Sequence, residues 1–167
     1  MKVYNFSQYS SLYNKFLSEL RDENIQKDSM RFRKNLERLG EISAYEISKT
    51  LQGYSQVTKT PLGTSKTSVP SENLVLATVL RAGLPLHYGL LKYYDNAENC
   101  FISAYRKHTS KEEFEVEIQY MASPNLTDKI VLLSDPMLAT GRSMVLAYKA
   151  LLKKGIPFCG SLPIKKF

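Results

Sequence analysis

The sequence predicts an α/β domain built on a mostly parallel sheet, and two observations support this prediction. Three apolar runs, each too short for a helix, lie at 74–80, 100–105 and 129–134, and such runs are typical of strands buried on both faces. The first and third are followed at once by a loop of small residues and then by a helical pattern. Strand, loop and helix in that order form the repeating unit of a parallel sheet covered by helices on both faces.

Periodicity and turn residues predict the remaining elements. Asp28 or Ser29 can cap a long helix, and Pro61-Leu62-Gly63 is a turn between two β-prone runs. Alternating apolar and charged residues at 114–120 predict a half-exposed strand. In order, we expect helices over 11–20, 29–51, 85–94 and 144–154, a hairpin over 54–69, the three core strands, and a second hairpin formed by 100–105 and 114–120, with Gly155 as the last C-cap.

Composition limits the class of protein. At 167 residues we expect a single domain, 1–167. The net charge of +7, from 23 basic and 16 acidic residues, suits a polyphosphate substrate as well as a nucleic acid. Because aromatic residues are not interleaved with the basic ones, nucleic acid is the less favoured partner. The spacing of Cys100 and Cys159 fits neither a metal site nor a disulfide framework. No signal-peptide pattern or membrane-length run is found, so we expect a cytoplasmic protein.

The loop at 135–143 has the composition of a phosphate site. Thr140 and Ser143 offer hydroxyl donors, and Gly141 permits close approach of a ligand because it has no Cβ. A loop between the carboxyl end of a strand and the amino end of a helix also presents free N–H groups, with the helix dipole behind them. Asp135 precedes this cradle, where its carboxylate can accept hydrogen bonds from sugar hydroxyls.

The same loop also fits a plain strand–turn–helix connection, with Asp135-Pro136 as the turn and Thr140 as the helix N-cap. The pattern alone leaves both interpretations open. The loop contains neither the Gly-Lys-Ser/Thr triplet of a Walker loop nor the G-x-G-x-x-G dinucleotide fingerprint.

A second loop of small residues, Arg81-Ala82-Gly83-Leu84, follows the first core strand. The planar guanidinium of Arg81 suits bidentate binding of pyrophosphate oxygens, and Ala82-Gly83 allows close backbone approach. The alternative is an arginine that caps neighbouring carbonyls. His87, on the following helix, is predicted to be a partly buried structural residue. A basic cluster, Arg31, Arg33 and Lys34, fits either a functional cationic patch or a solvated helix face.

The residue sequences of both loops resemble those of one known family. Asp135-Pro-Met-Leu-Ala-Thr-Gly141 resembles the phosphoribosyl pyrophosphate (PRPP) loop of the uracil phosphoribosyltransferases, which are type I phosphoribosyltransferases, and Leu80-Arg-Ala-Gly-Leu84 resembles their pyrophosphate loop. Ser134 before a single Asp135 fits this branch better than the adjacent acidic pair common in the superfamily. Arg142 departs from the pattern, since many members carry a second glycine there. The resemblance implies a type I phosphoribosyltransferase-like fold with a β-hairpin arm that covers the active site.

The resemblance also implies a reaction and a set of residues. The reaction is uracil + PRPP giving UMP and pyrophosphate, a glycosyl transfer of pyrimidine salvage, with Mg²⁺ carried by the pyrophosphate and no metal ligands from the protein. Catalytic roles pass to Arg81, Arg106 and Asp135. The implied PRPP-binding residues are Arg81, Ala82, Gly83, Arg106, Asp135, Pro136, Met137, Leu138, Ala139, Thr140, Gly141, Arg142 and Ser143.

The implied partners are PRPP, uracil, GTP as an effector, and further copies of the chain in a homodimer or higher homo-oligomer. The resemblance runs to about Phe158. The residues 159–167 do not look like the next strand of the family, and the family's C-terminal Gly-Leu-Gly-Asp-Ala-Gly-Asp segment, which reads uracil, is not found. We therefore expect the PRPP half of an active site without its nucleobase half, and weak or absent uracil binding.

Two other functional interpretations stay open on the sequence. One is a non-catalytic regulatory protein that senses PRPP or a nucleotide, or binds RNA through its basic surface; salt-dependent RNA binding without turnover would distinguish it. The other is a truncated, inactive relative of the enzymes.

Overall fold

The computed structural model describes residues 3–71, 73–108 and 114–155, and it describes side chains for these residues except 105–108 and 114–117. The side chain of Arg106 and the predictions for Cys159 and the 159–167 segment lie outside the described residues. The elements are α1 Leu12–Arg21, α2 Ser29–Ser48, β1 Gly53–Thr60, β2 Gly63–Pro70, β3 Leu74–Leu80, α3 Leu84–Leu91, β4 Glu98–His108, β5 Phe114–Ala122, β6 Ile130–Ser134 and α4 Arg142–Leu152, with short 3₁₀ turns at Phe6–Gln8 and Ile25–Lys27.

The main sheet has four strands in the order β5-β4-β3-β6. Strand β3 pairs in parallel with β4 on one side and with β6 on the other, and β5 runs antiparallel to β4. The predicted mostly parallel sheet with a β-hairpin arm is confirmed. Strand β4 continues to His108, beyond the predicted end at 105, because its outer half pairs with β5 along the arm.

Helices cover both faces of this sheet. On one face, Val75, Ala77 and Ile102 pack with Ala147 and Leu151 of α4. On the other face, the side chains of the intervening strand positions meet α2 and α3 in a cluster that includes Leu74, Leu76, Leu132, Ala44 and Leu90. Burial of the strands on both faces explains why they are apolar at nearly every position rather than at alternate ones.

Helix α2 begins where the sequence predicts and ends earlier. The Asp28 carboxylate accepts hydrogen bonds from the N–H groups of Met30 and Arg31, both at 3.0 Å, and so caps the helix. The predicted end at 51 is wrong, because the last turn tightens: the Thr50 N–H donates to the Ile47 carbonyl, and the helix ends at Ser48.

The contact between α2 and α3 depends on two glycines. A Cβ on Gly40 would lie 2.3 Å from the Leu86 carbonyl oxygen, and one on Gly89 would lie 2.0 Å from the Glu37 carbonyl oxygen. The helix backbones therefore touch directly. Tyr45, predicted on the apolar face of α2, is instead 59% exposed, because the buried face is centred on Leu36, Gly40 and Ala44 and so turns Tyr45 outward.

The predicted hairpin around Pro61 is confirmed as β1 and β2, which form a separate two-stranded sheet. Nearly all of its residues are exposed, and Leu62 at its tip is fully exposed. In the described part of the chain, no helix is both long and apolar enough to cross a membrane.

Candidate active site

The two predicted ligand loops meet at one edge of the sheet. Strands β3 and β6 pair in parallel from Leu74 and Ile130 to Thr78 and Ser134. Because adjacent parallel strands end at the same edge, the turn that begins at Arg81 and the loop that begins at Asp135 emerge side by side. Ligands of open α/β sheets bind at this edge.

A cavity of about 970 Å³ opens beside both loops. Arg81, Ala82, Pro136 and Met137 form its loop side. Its other side is contributed by α1, the following turn, α2 and α3, and comprises Leu17, Leu20, Arg21, Gln26, Met30, Phe32, Arg33, Lys34, Leu36, Glu37, Leu84, Pro85 and Tyr88. The cavity therefore combines apolar walls with polar groups at a few positions, as small-molecule sites commonly do.

The charges that line this cavity are mostly positive. Arg21, Arg33, Lys34 and Arg81 contribute cations, and Glu37 contributes the one carboxylate among the described lining residues. Hydrogen bonds from Lys92 and then Lys34 hold the pKa of Glu37 below its usual range, so this acid is ionised and already has cationic partners. The remaining positive charge favours an anionic ligand.

The basic residues at the start of α2 separate into two groups, one on the solvated helix surface and one in the cavity lining. Arg31 forms ion pairs with Glu19 and Asp28 on the helix surface. Arg33 and Lys34 line the cavity together with Arg81, which follows them by almost fifty positions. The pattern in the sequence marked the cluster, but only the packing of α2 beside α3 brings two of its members to the site.

The turn at 81–83 is compact. The Gly83 N–H donates to the Val79 carbonyl at 3.1 Å, and the Leu84 N–H donates to the Arg81 carbonyl at 3.3 Å. The peptide bond between Leu80 and Arg81 is cis. Gly83 is required by close approach, since a Cβ there would lie 2.1 Å from the Thr78 hydroxyl oxygen. Arg81 and Ala82 remain exposed at the surface of the turn.

The loop at 135–141 is organised by its own polar groups. The Asp135 carboxylate accepts a hydrogen bond from the Met137 N–H at 3.2 Å, and the Thr140 hydroxyl oxygen accepts a long one from the Arg142 N–H at 3.4 Å. Gly141 caps α4 with φ +75°, the left-handed region that favours glycine. The predicted Asp-Pro turn is therefore present, but Gly141 rather than Thr140 is the N-cap, because the chain needs a left-handed residue there.

This loop also presents donors to a ligand. In the described part of the chain, hydrogen bonding leaves the N–H groups of Thr140 and Gly141 without an acceptor. They lie just before α4, whose eleven residues supply a dipole with its positive end at the loop. Open N–H groups at such a position are suited to a phosphate.

Burial changes the acid strength of Asp135. Removal from water raises the pKa of its carboxyl, and the hydrogen bond from the Met137 N–H opposes this effect in part. Asp135 is also the only carboxylate in the two loops. Its partly buried oxygens can therefore accept hydrogen bonds from neutral hydroxyls without strong competition from water.

The remaining predicted residues lie in three places. Eight of them lie in or beside the two loops, outside the cavity lining described above: Gly83, Asp135, Leu138, Ala139, Thr140, Gly141, Arg142 and Ser143. Arg106 belongs to β4, which lies beside β3. His87 is buried, as the structural interpretation requires, and its Nε2 lies 2.8 Å from the Asn99 side-chain oxygen.

The family model and the relatives that match this chain have the same family name. The family model described as "Uracil phosphoribosyltransferase" matches residues 8–159. A uracil phosphoribosyltransferase from Porphyromonas gingivalis is 54% identical over 157 residues, covering 94% of this chain and 73% of that protein. One from Thermococcus gammatolerans is 37% identical over 158 residues, covering 93% of this chain and 68% of that protein.

Solved structures agree on the fold. A structure of a protein from Aquifex aeolicus matches with a TM-score of 0.79 and 29% identity, covering 92% of this chain and 71% of that one. A purine phosphoribosyltransferase from Pyrococcus horikoshii matches with a TM-score of 0.53 and 16% identity, covering 72% of this chain and 66% of that one; at this identity the likeness concerns the fold alone.

Proposed function

The chain belongs to the uracil phosphoribosyltransferase family, and on that premise we propose that it transfers the phosphoribosyl group of PRPP to uracil. The products are UMP and pyrophosphate. The single observation that best supports this activity is the meeting of two loops suited to anions, 81–83 and 135–143, at the carboxyl ends of adjacent parallel strands. PRPP carries phosphate groups at two ends of one sugar, so a protein that binds it needs two such loops at one place.

We assign the two loops to the two ends of the substrate. Thr140, Gly141 and Ser143, with the start of α4, hold the 5′-phosphate, and Asp135 accepts hydrogen bonds from the ribose hydroxyls. Arg81, with the backbone of Ala82 and Gly83, binds the pyrophosphate. The neighbouring backbone of Pro136, Met137, Leu138, Ala139 and Arg142 completes the sugar-phosphate loop. Arg106, on the strand beside β3, is assigned to the pyrophosphate as well, following the family resemblance.

In the proposed reaction, the bond from ribose C1 to the pyrophosphate oxygen breaks ahead of formation of the bond from C1 to uracil N1. The uracil N1 proton leaves to solvent or to the departing pyrophosphate. Positive charge develops on the sugar and negative charge on the leaving group. The guanidinium groups stabilise the leaving group, and a preorganised donor of this kind contributes about 3 kcal/mol. Asp135 fixes the ring so that C1 faces both the leaving group and the base.

Magnesium is proposed to arrive with PRPP. As the family resemblance implies, the pyrophosphate oxygens and water would hold the ion. Among the described residues, no group of three or more His, Cys, Asp or Glu side chains is placed to hold a metal ion. When bound, the ion neutralises charge on the pyrophosphate. This fits a site whose protein groups are mainly cationic and hydroxyl.

Assembly into a homodimer or larger homo-oligomer is part of the proposal, as is a cytoplasmic location; GTP remains an effector candidate. The β1–β2 hairpin supports assembly. It forms a two-stranded sheet of its own with exposed Tyr54, Val57 and Leu62, and an isolated two-stranded sheet is only marginally stable in water. We propose that a second copy of the chain covers it.

One assay tests the activity. The protein is incubated with uracil, PRPP and Mg²⁺, and UMP and pyrophosphate are measured, with hypoxanthine as the comparison base. Family membership favours UMP formation over the weak uracil binding expected from the sequence. We therefore expect UMP and pyrophosphate in equal amounts from uracil and none from hypoxanthine. Binding of PRPP without UMP formation would contradict the proposal and favour a non-catalytic protein that senses PRPP.

Arg81→Ala tests the assigned pyrophosphate loop. We expect kcat/KM for PRPP to fall about 100-fold, since one electrostatic donor to the leaving group is lost. Lys153→Ala removes an equal charge at the far end of α4 and is expected to leave PRPP kinetics unchanged. Unchanged PRPP kinetics in Arg81→Ala would refute its role.

A further inference from the structure

Two hydroxyl side chains lie in the core directly below the proposed site. Thr78 is the only polar residue of β3 and Ser134 the only polar residue of β6. Thr78 is 0% exposed and Ser134 is 2% exposed. They face each other as the last pair of the β3–β6 ladder. Ser134 ends β6, and Thr78 lies two residues before the end of β3.

These hydroxyls form reciprocal hydrogen bonds across the end of the ladder. The Thr78 hydroxyl donates to the Ser134 carbonyl at 3.4 Å, and the Ser134 hydroxyl donates to the Ala77 carbonyl at 3.2 Å. Both bonds are longer than the usual 2.7–2.8 Å for this type, so each is weak. Hydrogen bonds of this length contribute little to stability. Stability alone therefore gives little reason for two hydroxyls at this point of an apolar core.

Thr78 also touches the other loop. Its hydroxyl oxygen lies so close to Gly83 that a Cβ there would come within 2.1 Å of it. The same oxygen thus packs against the 81–83 turn and bonds to Ser134, the residue before Asp135. A single side chain contacts the bases of both loops.

We infer that Thr78, supported by Ser134, is a positioning residue that sets the separation between the 81–83 turn and the 135–143 loop. This inference rests on the proposed function, in which PRPP occupies both loops at once. A ligand that spans the loops depends on their separation. A ligand that occupies one loop does not. Loss of the Thr78 hydroxyl is therefore expected to weaken PRPP binding far more than binding of ribose 5-phosphate or of Mg²⁺-pyrophosphate.

Three substitutions separate the hydroxyl from the volume of the side chain. Thr78→Ala and Thr78→Val both remove the hydroxyl, with and without a loss of volume, and Thr78→Ser keeps it. Dissociation constants are measured by calorimetry for Mg²⁺-PRPP, ribose 5-phosphate and Mg²⁺-pyrophosphate, at a temperature where circular dichroism shows each variant folded. Ser43→Ala is the matched control: it removes a hydroxyl that is also buried, on α2 and outside both loops.

We expect PRPP affinity to fall about 5- to 10-fold in Thr78→Ala and Thr78→Val, because the two loops then lose the separation that suits the ligand; a fall of this size is on the order of one lost ligand hydrogen bond. The two single-loop ligands are expected to change less than about twofold, and Thr78→Ser and Ser43→Ala to bind PRPP like the wild type. Wild-type PRPP affinity in Thr78→Ala, or an equal loss for all three ligands, would overturn the inference. Failure of the unmodified protein to bind PRPP would instead refute the proposed function, and the inference with it.

Discussion

Within the proposed site, the fold changes the acid strength of Asp135. Its pKa is raised by burial above the ordinary value of 3.8, and the proposed role needs the ionised form, which accepts hydrogen bonds from the sugar. PRPP affinity is therefore expected to fall as pH drops through this raised pKa, earlier than for an exposed carboxylate. Calorimetric titration of PRPP across the acid range measures the midpoint.

Asp135→Asn should abolish this loss of PRPP affinity at acidic pH and should weaken PRPP binding at neutral pH. Asp128→Asn, in an exposed turn before β6, is the control and should keep the loss of affinity at acidic pH. If PRPP affinity still falls at acidic pH in Asp135→Asn, another group is responsible for the titration.

At the scale of elements, we predict that Gly→Ala substitutions in the α2–α3 contact destabilise the protein, although helix propensity alone would make them stabilising. In an exposed helix, Gly→Ala stabilises by about 1 kcal/mol. At Gly40 and Gly89 the added Cβ would collide with carbonyl oxygens of the facing helix, at 2.3 and 2.0 Å. Backbone atoms cannot rotate away, so the helices must separate, and we expect Gly40→Ala and Gly89→Ala each to lower the free energy of unfolding by about 2–3 kcal/mol.

Urea denaturation measures this change. Gly53→Ala is the matched control, because the nearest group to its added Cβ is the Ser68 hydroxyl, which can rotate away; a loss under about 1 kcal/mol is expected there. Unchanged or increased stability in Gly40→Ala would mean that the two helices are not in backbone contact. Since Arg33, Lys34 and Arg81 lie on either side of this contact, both α2–α3 variants should also weaken PRPP binding.

At the scale of the whole molecule, His87 couples the free energy of unfolding to pH. Burial lowers its pKa below 6.5, and the hydrogen bond with Asn99 opposes this in part. Its Nδ1 is buried without a hydrogen-bond partner among the described residues, so protonation of the folded protein would place a charge there. Between the lowered pKa and 6.5 the unfolded chain binds more protons, and stability is therefore lost as pH falls through that window.

Urea unfolding at about pH 8 and about pH 5.5 tests the coupling through a histidine. His87→Met should reduce the loss of stability on acidification. Asn99→Asp, which supplies a carboxylate to the imidazolium, should do the same by raising the pKa of His87. An acid-side loss that is identical in all three proteins would exclude His87 as its source.

The sequence by itself determined the core strands, the loops at 81–83 and 135–143 and the family, because each is a local feature of the sequence. An apolar run such as Ile130–Leu133, or the seven residues from Asp135 to Gly141, needs no distant partner to be recognised. Apolar runs, turn residues and loop motifs each depend on a few neighbouring residues. Helix ends were misplaced where the last turn tightened or a left-handed cap was needed, the end of β4 was placed too early, and Tyr45 was wrongly assigned to the buried face of α2.

The tertiary structure alone decided what surrounds those loops. Arg33 and Lys34 lie near Arg81 because α2 packs closely on α3 at Gly40 and Gly89. The periodicity of apolar residues in α2 does not predict this close packing. Thr78 and Ser134 read as polar interruptions in apolar strands until β3 and β6 are paired in register. Contacts between segments more than forty residues apart depend on how whole elements pack, and packing is a property of the assembled chain rather than of any stretch of it.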